Sequence, residues 1–450
     1  MRPPTPESSP DRPPPFARRV HCPPVSPRFP HSRLPSHPTS STEPTRAILV
    51  AVDFGKHDFQ ESLSELALLA STAGSEPVRA VTGRRSRPDA ALFIGAGKAE
   101  EVKIAADEED AEIVIFNHAL SPAQQRNLER FFGRHVVDRT GLILDIFSQR
   151  AQSHVGKVQV ELARVRYQAS RLVRAWSHLE RQKGGIGMRG GPGERQLELD
   201  RRMLDERAKR LSAELDRLQR QHDTQRRSRS RNDAFSVSLV GYTNAGKSTL
   251  FNALTKARTY AANQLFATLD TTSRRLYLDG LGNVVLSDTV GFIRDLPTQL
   301  VAAFRATLEE TVHADVLLHV VDAASAVKHE QMEQVDRVLA EIDASGIPQI
   351  LVMNKIDAAE ELRTQGPRIE RDEAGAVRRV FVSALEGAGL ELLRGALVET
   401  AIRLRERPPP RDGEFDPRFD TRRETSPAQR DELSQTPPAS ALPAERSGRD

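Results

Sequence analysis

Phe235-Ser236-Val237-Ser238-Leu239-Val240-Gly241-Tyr242-Thr243-Asn244-Ala245-Gly246-Lys247-Ser248-Thr249 is the stretch that decides the fold. Its opening residues read as a buried strand, and the run from Thr249 to Lys256 that follows reads as a helix. Between them stands the spacing Gly241-x-x-x-x-Gly246-Lys247-Ser248, a phosphate loop in the strand-to-helix context that gives such a loop meaning. Glycine lets the chain curl around an oxyanion, and successive backbone N–H groups with the helix N-terminus supply positive potential. Lys247 is placed to neutralise β and γ phosphates, and Ser248 to ligate Mg²⁺.

A phosphate loop alone does not specify the base. Downstream, Val284-Val285-Leu286-Ser287 leads into Asp288-Thr289-Val290-Gly291, an acid at a strand end that can hold magnesium through water and a glycine whose N–H can face a γ phosphate. Gln349 to Met353 is another apolar strand, ending in Asn354-Lys355-Ile356-Asp357. The Asp357 carboxylate can accept from the ring N1–H and the exocyclic amine of guanine, a donor pair adenine does not have. Lys355 can cover the base, and Ser383-Ala384-Leu385 closes the pocket from one more strand. An isolated Asn-Lys-Ile-Asp is more often a surface turn, but four such motifs in GTPase order, each at a strand end, point to GTP. Phe266-Ala267-Thr268-Leu269-Asp270 occupies the natural position of the first switch, with Thr268 as the second Mg²⁺ ligand and Thr271 and Thr272 as rivals. Phe292 follows Gly291 where many small GTPases place the glutamine that orients water, so intrinsic hydrolysis is expected to be slow. The catalytic candidates are Lys247, Thr268, Gly291 and Asn244, the last as a ligand for a monovalent cation such as K⁺.

Outward from this core, the chain has 450 residues and 29 prolines, of which 14 lie in residues 1–45 and 8 in residues 405–450. Both ends are expected to be disordered tails. No apolar run is long enough to span a bilayer, and the single cysteine, Cys22, excludes a disulfide framework or a cysteine metal site. A cytoplasmic, monomeric protein is the default expectation. Residues 46–139 alternate short β-type and helical runs, including Ala47 to Val52, Ala91 to Ile94 and Ile113 to Phe116, which argues an α/β subdomain. Residues 140–232 are expected to form a basic helical hairpin around the glycine-rich loop Gly184 to Gly193, and residues 233–404 a P-loop domain. Leu197, Leu204, Leu211 and Leu218 recur every seven residues, a seam that suits packing within the hairpin better than dimerisation. Over residues 150–231, 21 Lys or Arg stand against 10 Asp or Glu, an excess suited to a polyanion such as RNA, although a solvated helical face is the bland reading. His154, His313 and His319 have no partner at metal-ligand spacing and read as structural. Gly95 and Gly97 lack the spacing of a second phosphate loop.

On these residues the chain resembles the HflX GTPases, within the translation-factor-related class that includes Obg. The marks are Ile94-Gly-Ala-Gly-Lys98, Asp138-Arg-Thr-Gly-Leu-Ile-Leu-Asp-Ile-Phe147, Gly156-Lys-Val-Gln-Val-Glu-Leu-Ala163, Gly191-Pro-Gly-Glu194, Asp200-Arg-Arg202 and the phenylalanine at 292, over about Ala47 to Leu404. The resemblance implies a GTPase that binds the large ribosomal subunit and its RNA in the GTP form and splits stalled ribosomes under stress. It also implies an amino-terminal α/β domain with a helical hairpin and a P-loop domain with a mostly parallel six-stranded sheet. By position, nucleotide contacts fall on Gly241 to Ser248, Phe266 to Asp270, Asp288 to Gly291, Asn354 to Asp357 and Ser383 to Leu385, and Mg²⁺ contacts on Ser248 and Thr268. Thr271 departs from a usual proline, Val155 from a usual acid, and the glycine-rich loop is one glycine longer than the commonest form. The competing expectation is an RNA-binding or ribosome-assembly protein whose GTPase domain only senses nucleotide; an ATPase is a third.

Overall fold

The computed structural model describes residues 44–55, 58–175, 192–230, 235–256, 265–294, 308 and 310–406. The expected tails, 1–45 and 405–450, and the glycine-rich loop fall almost wholly outside these residues.

The first sheet is built from β1 (Thr45–Asp53), β2 (Ser75–Arg84), β3 (Ile113–Phe116) and β4 (His135–Asp138), in the order β2-β1-β3-β4 with every pairing parallel. Helices α1 (Phe59–Thr72), α2 (Ala96–Glu108) and α3 (Pro122–Phe132) are its crossovers. β1 and β3 are buried on both faces, as helices on a parallel sheet require. The expected strand at Ala91 to Ile94 is instead a reversal. Asp89 Oδ1 accepts from the amides of Ala91 and Leu92, and Phe93 takes φ 63° while its ring enters the core.

Two helices follow, α4 (Arg139–Arg150) and α5 (His154–Ala175), separated where Ala151 leaves the helical region at ψ 112°. Asp138 organises this turn. Its carboxylate caps α4 through the Gly141 amide (2.8 Å) and accepts from Tyr167 Oη (2.5 Å), Arg171 Nη2 (2.6 Å) and the Leu120 amide (3.1 Å). Burial and that carboxylate push the Tyr167 phenol well above its usual range. The long α6 (Pro192–Ser230) packs on α5: Leu211 and Leu215 lie against Val158, Leu162 and Val165, with Leu204, Ala208 and Leu218 along the same seam.

The second sheet has β5 (Phe235–Gly241), β6 (Thr272–Leu278), β7 (Gly282–Asp288), β8 (Val316–Asp322), β9 (Gln349–Asn354), β10 (Arg368–Arg371) and β11 (Val377–Phe381). Their order is β10-β11-β9-β8-β5-β7-β6, with β6 and β10 antiparallel to their neighbours and the rest parallel. The sheet therefore carries seven strands rather than six, because the short charged β10 adds an antiparallel edge. Helices α7 (Lys247–Thr255), α8 (Lys328–Glu341), α9 (Glu360–Gln365) and α10 (Leu390–Glu406) complete the described elements here. The carboxyl ends of β5, β7, β9 and β11 bring the sequence motifs to one edge, the usual ligand edge of an open parallel sheet. No described helix is long and apolar enough to cross a membrane.

The two sheet domains meet through polar side chains. Arg139, 4% exposed, donates to Asn117 Oδ1 (3.0 Å), to the Arg294 carbonyl (3.2 Å) and to Glu65. Tyr242 Oη donates to the same Glu65 carboxylate and accepts from the Arg294 amide (2.9 Å), and Arg294 pairs with Asp58. Glu65→Ala strands both the Arg139 charge and the Tyr242 hydroxyl, so it is expected to destabilise by about 3 kcal/mol, whereas Tyr242→Phe costs about 1 kcal/mol. Thermal unfolding midpoints check this order, and equal midpoints for the two variants would refute it.

Candidate functional site

The loop after β5 wraps an open cleft. Gly246 sits at φ 94°, and a Cβ there would fall 2.2 Å from Asn354 Nδ2, so side chain and backbone both require glycine. Asn354 is spent on holding the loop: Nδ2 donates to the Ala245 carbonyl (2.9 Å), and Oδ1 accepts from the Ala384 amide (2.9 Å). One side chain thus ties the phosphate loop to the Ser383–Leu385 turn. Tyr242 and Thr243 complete the curl by pairing with Phe292, the Thr243 amide donating to its carbonyl at 2.7 Å.

Lys247 begins α7 and is buried, with Nζ donating to the carbonyls of Gly241 (3.0 Å) and Tyr242 (2.8 Å). Burial lowers its pKa to about 8, against the pull of Asp288. Its two hydrogen bonds go to neutral carbonyls, and a phosphate in the cleft would supply the opposite charge that offsets its burial.

Ser248, Thr268 and Asp288 converge from three segments. Ser248 Oγ and Thr268 Oγ1 donate to Asp288 Oδ2 at 2.6 and 2.8 Å and lie 2.7 Å from each other. Burial raises the Asp288 pKa, opposed by the Ser248 bond and the Lys247 charge. Its other oxygen, Oδ1, is buried without a hydrogen-bond partner. Hard oxygens in this density suit a divalent cation that keeps several waters, so the residues fit Mg²⁺.

Thr243, Asn244, Gly246, Lys247, Ser248, Phe266, Ala267, Thr268, Thr289 and Gly291, all named above as nucleotide candidates, line the cleft together with Thr249. Thr249 was legible only as part of the helix start. Asn244 takes φ 59° and is exposed at the rim. Leu269 and Asp270 are absent from the lining, and Val290 is buried. Leu269 is buried too, and the Asp270 carboxylate turns to α5, accepting from the Gln152 and Ser153 amides at 2.9 and 2.7 Å. Phe292 is 2% exposed and packs among Val240, Leu308 and Leu317, so its ring is unavailable to water.

At the base end, Lys355 takes φ 64° and donates to Asp322 Oδ2 at 2.8 Å. Ile356 packs with Val321, Met353 and Phe381, which anchors the turn carrying Asp357. Asp357 Oδ1 is buried and has no hydrogen-bond partner, the state expected of an acceptor reserved for a ligand donor. Ser383 Oγ accepts from the Glu386 amide at 3.1 Å, Ala384 is buried, and Leu385 is 80% exposed. Away from the cleft, His154 meets Glu214 across the α5–α6 pair at 2.9 Å, and burial lowers the His319 pKa to about 4, which keeps that ring neutral. No metal-ligating cluster of His, Cys, Asp and Glu occurs among the described residues.

Comparison with known proteins adds to this geometry. Residues 60–148 match the family described as GTP-binding GTPase N-terminal, residues 150–229 its GTP-binding GTPase Middle Region, and residues 236–355 the 50S ribosome-binding GTPase family. GTPase HflX of Escherichia coli (strain K12) is 53% identical over 382 residues, covering 83% of this chain and 88% of that protein. GTPase HflX of Magnetococcus marinus is 46% identical over 357 residues, covering 79% and 82%. A GTP-binding protein of the archaeon Sulfolobus solfataricus, solved with GDP, is 25% identical with a TM-score of 0.43 over 80% of this chain and 99% of that one. At such identity over most of both lengths the kinship with the bacterial proteins extends well past the nucleotide motifs: the chain belongs to the HflX family and is a GTPase.

Proposed function

We propose that the GTP-bound chain binds the large ribosomal subunit and its RNA, that hydrolysis to GDP and phosphate releases it, and that this cycle splits or rescues stalled ribosomes under stress. The observation that carries the proposal is Thr268 meeting Ser248 and Asp288, because a residue brought in by a segment outside helix and strand is what a γ phosphate can retain and its loss can free. Support for the partner comes from the match of residues 236–355 to a 50S ribosome-binding GTPase family and from the excess of Lys and Arg over residues 150–231.

In this mechanism the amides of residues 241–248 and the Lys247 ammonium cradle the phosphates, and Asp357 takes the guanine donors. Ser248 and Thr268 would hold Mg²⁺ directly, with Asp288 behind them; the ion would draw charge from the β and γ phosphate oxygens. Gly291 lines the same cleft, and its amide would orient the γ phosphate. With Phe292 in the core, water positioning falls to backbone groups and Thr268, so turnover by the chain alone is slow. Asn244 at the rim adds a monovalent cation beside the phosphates. The buried Phe292 also favours the other reading, an RNA-binding assembly protein that senses nucleotide with little turnover.

Three experiments test this. In sedimentation with ribosomes, the chain is expected to travel with large subunits in a non-hydrolysable GTP analogue and to stay behind in GDP. Added large subunits should raise GTP turnover roughly tenfold or more, more in potassium than in sodium. Absence of stimulation rejects the release cycle in favour of the sensing protein, and equal rates in the two salts reject the cation. Separately, Lys247 with a pKa of about 8 in the free chain is recharged by the phosphates, so nucleotide binding takes up a proton above that pH. Affinity is then lost as pH rises through 8 towards the ordinary lysine value of 10.5. Titration calorimetry at about pH 9 in buffers of different ionisation enthalpy should record uptake of nearly one proton per nucleotide; no uptake would contradict a neutralised lysine.

A further inference from the structure

We infer that Asp270 is a positioning residue for the GTPase reaction, clasping the start of α5 so that the helical hairpin sets where Thr268 stands. This rests on the GTPase site proposed above and adds an element outside it. Asp270 Oδ2 accepts from the amides of Gln152 (2.9 Å) and Ser153 (2.7 Å), and Oδ1 from Ser153 Oγ (2.5 Å). Ser153 Oγ in turn accepts from the Gly156 amide at 2.9 Å, so it caps α5 while donating to Asp270. A carboxylate on these N-terminal amides is favoured by the helix dipole as well as by the hydrogen bonds.

Gly156 explains itself by this contact. A Cβ at 156 would fall 2.2 Å from Asp270 Oδ1 and 3.0 Å from Ser153 Oγ, so a residue otherwise out of place in a helix leaves room for the carboxylate. The same segment is held at its other end. Phe266 meets Phe147 of α4 edge to face at 4.6 Å between centroids, and the Leu265 amide donates to Thr72 Oγ1 of α1 at 3.4 Å. Thr268 lies two residues from either anchor. Two residues reach at most about 7 Å, so while both anchors hold, the backbone at Thr268 stays within that reach of them, and opening one frees it to move further from Ser248 and Asp288. By linkage, a ligand that retains Thr268 tightens the clasp, and a pull on α5 is felt at Thr268.

Three full-chain variants test this: Gly156→Ala, which drives a methyl into the clasp from α5; Asp270→Ala; and their double. GDP affinity should stay within about twofold of the parent, because the clasp acts through Thr268, while kcat for GTP falls roughly tenfold or more. The double variant should be no worse than either single, since both remove one contact. Hydrogen exchange gives a readout independent of turnover. The Gln152 and Ser153 amides should exchange slowest with the GTP analogue and faster with GDP, and Thr268→Ala should erase that difference. Ser153→Ala, which only deletes atoms, should lower kcat in the same direction if Gly156→Ala folds poorly. Parental kcat in Gly156→Ala and Ser153→Ala, additive losses, or identical exchange in both nucleotides overturns the clasp. A parent chain that neither binds nor hydrolyses GTP overturns the underlying site instead.

Discussion

One carboxylate oxygen, Asp288 Oδ2, takes hydrogen bonds from two hydroxyls that reach it from different parts of the chain. Everything the site can do depends on that convergence. Asp288 ends β7 inside the sheet, where burial disfavours its charge, and Lys247 at the start of α7 is buried with the opposite sign. Neither group is comfortable without further company. The strain is electrostatic and local, and a metal-bound triphosphate has the charges that relieve it. Ser248 is fixed by the helix that follows the loop, but Thr268 is brought in by a segment with no regular structure. The geometry of the site is therefore as good as the hold on residues 266–270.

That hold comes from the amino-terminal half. Phe266 on Phe147 and Asp270 on α5 are contacts across the domains, as is Tyr242, the second residue of the phosphate loop, on Glu65. Arg294, three residues past Gly291, is clasped by Asp58 and by the Arg139 network. The loop, the first switch and the residues after the second motif each touch the other domain. Under the proposed clasp, what binds the helices is felt in the cleft, and what fills the cleft is felt by the helices.

Much of this was legible in the sequence, and the parts that were not share a cause. The phosphate loop, the acid at 288, the base-reading turn at 354–357 and the hairpin seam are local patterns, in which residue type and spacing suffice. Asp270 is different: its partners are more than a hundred residues away, and no local pattern distinguishes a carboxylate facing a nucleotide from one capping a helix. β2 was missed because its edge position leaves most residues partly exposed, and β10 because four charged or half-buried residues carry little β signal. Ala91 to Ile94 is apolar enough for a strand, but Asp89 turns the chain there. Local apolarity predicts burial and is silent on whether the chain runs straight through it.

In the proposed function the cleft grips a triphosphate and Asp357 selects guanine. Competition of GTP and ATP for the chain in the presence of Mg²⁺, read by displacement of a fluorescent GDP, tests this most directly. ATP should need at least about a hundredfold higher concentration than GTP, because an adenine has no donor pair for Asp357 and leaves its buried Oδ1 unpaired. Equal displacement by the two nucleotides, or displacement by neither, would contradict it.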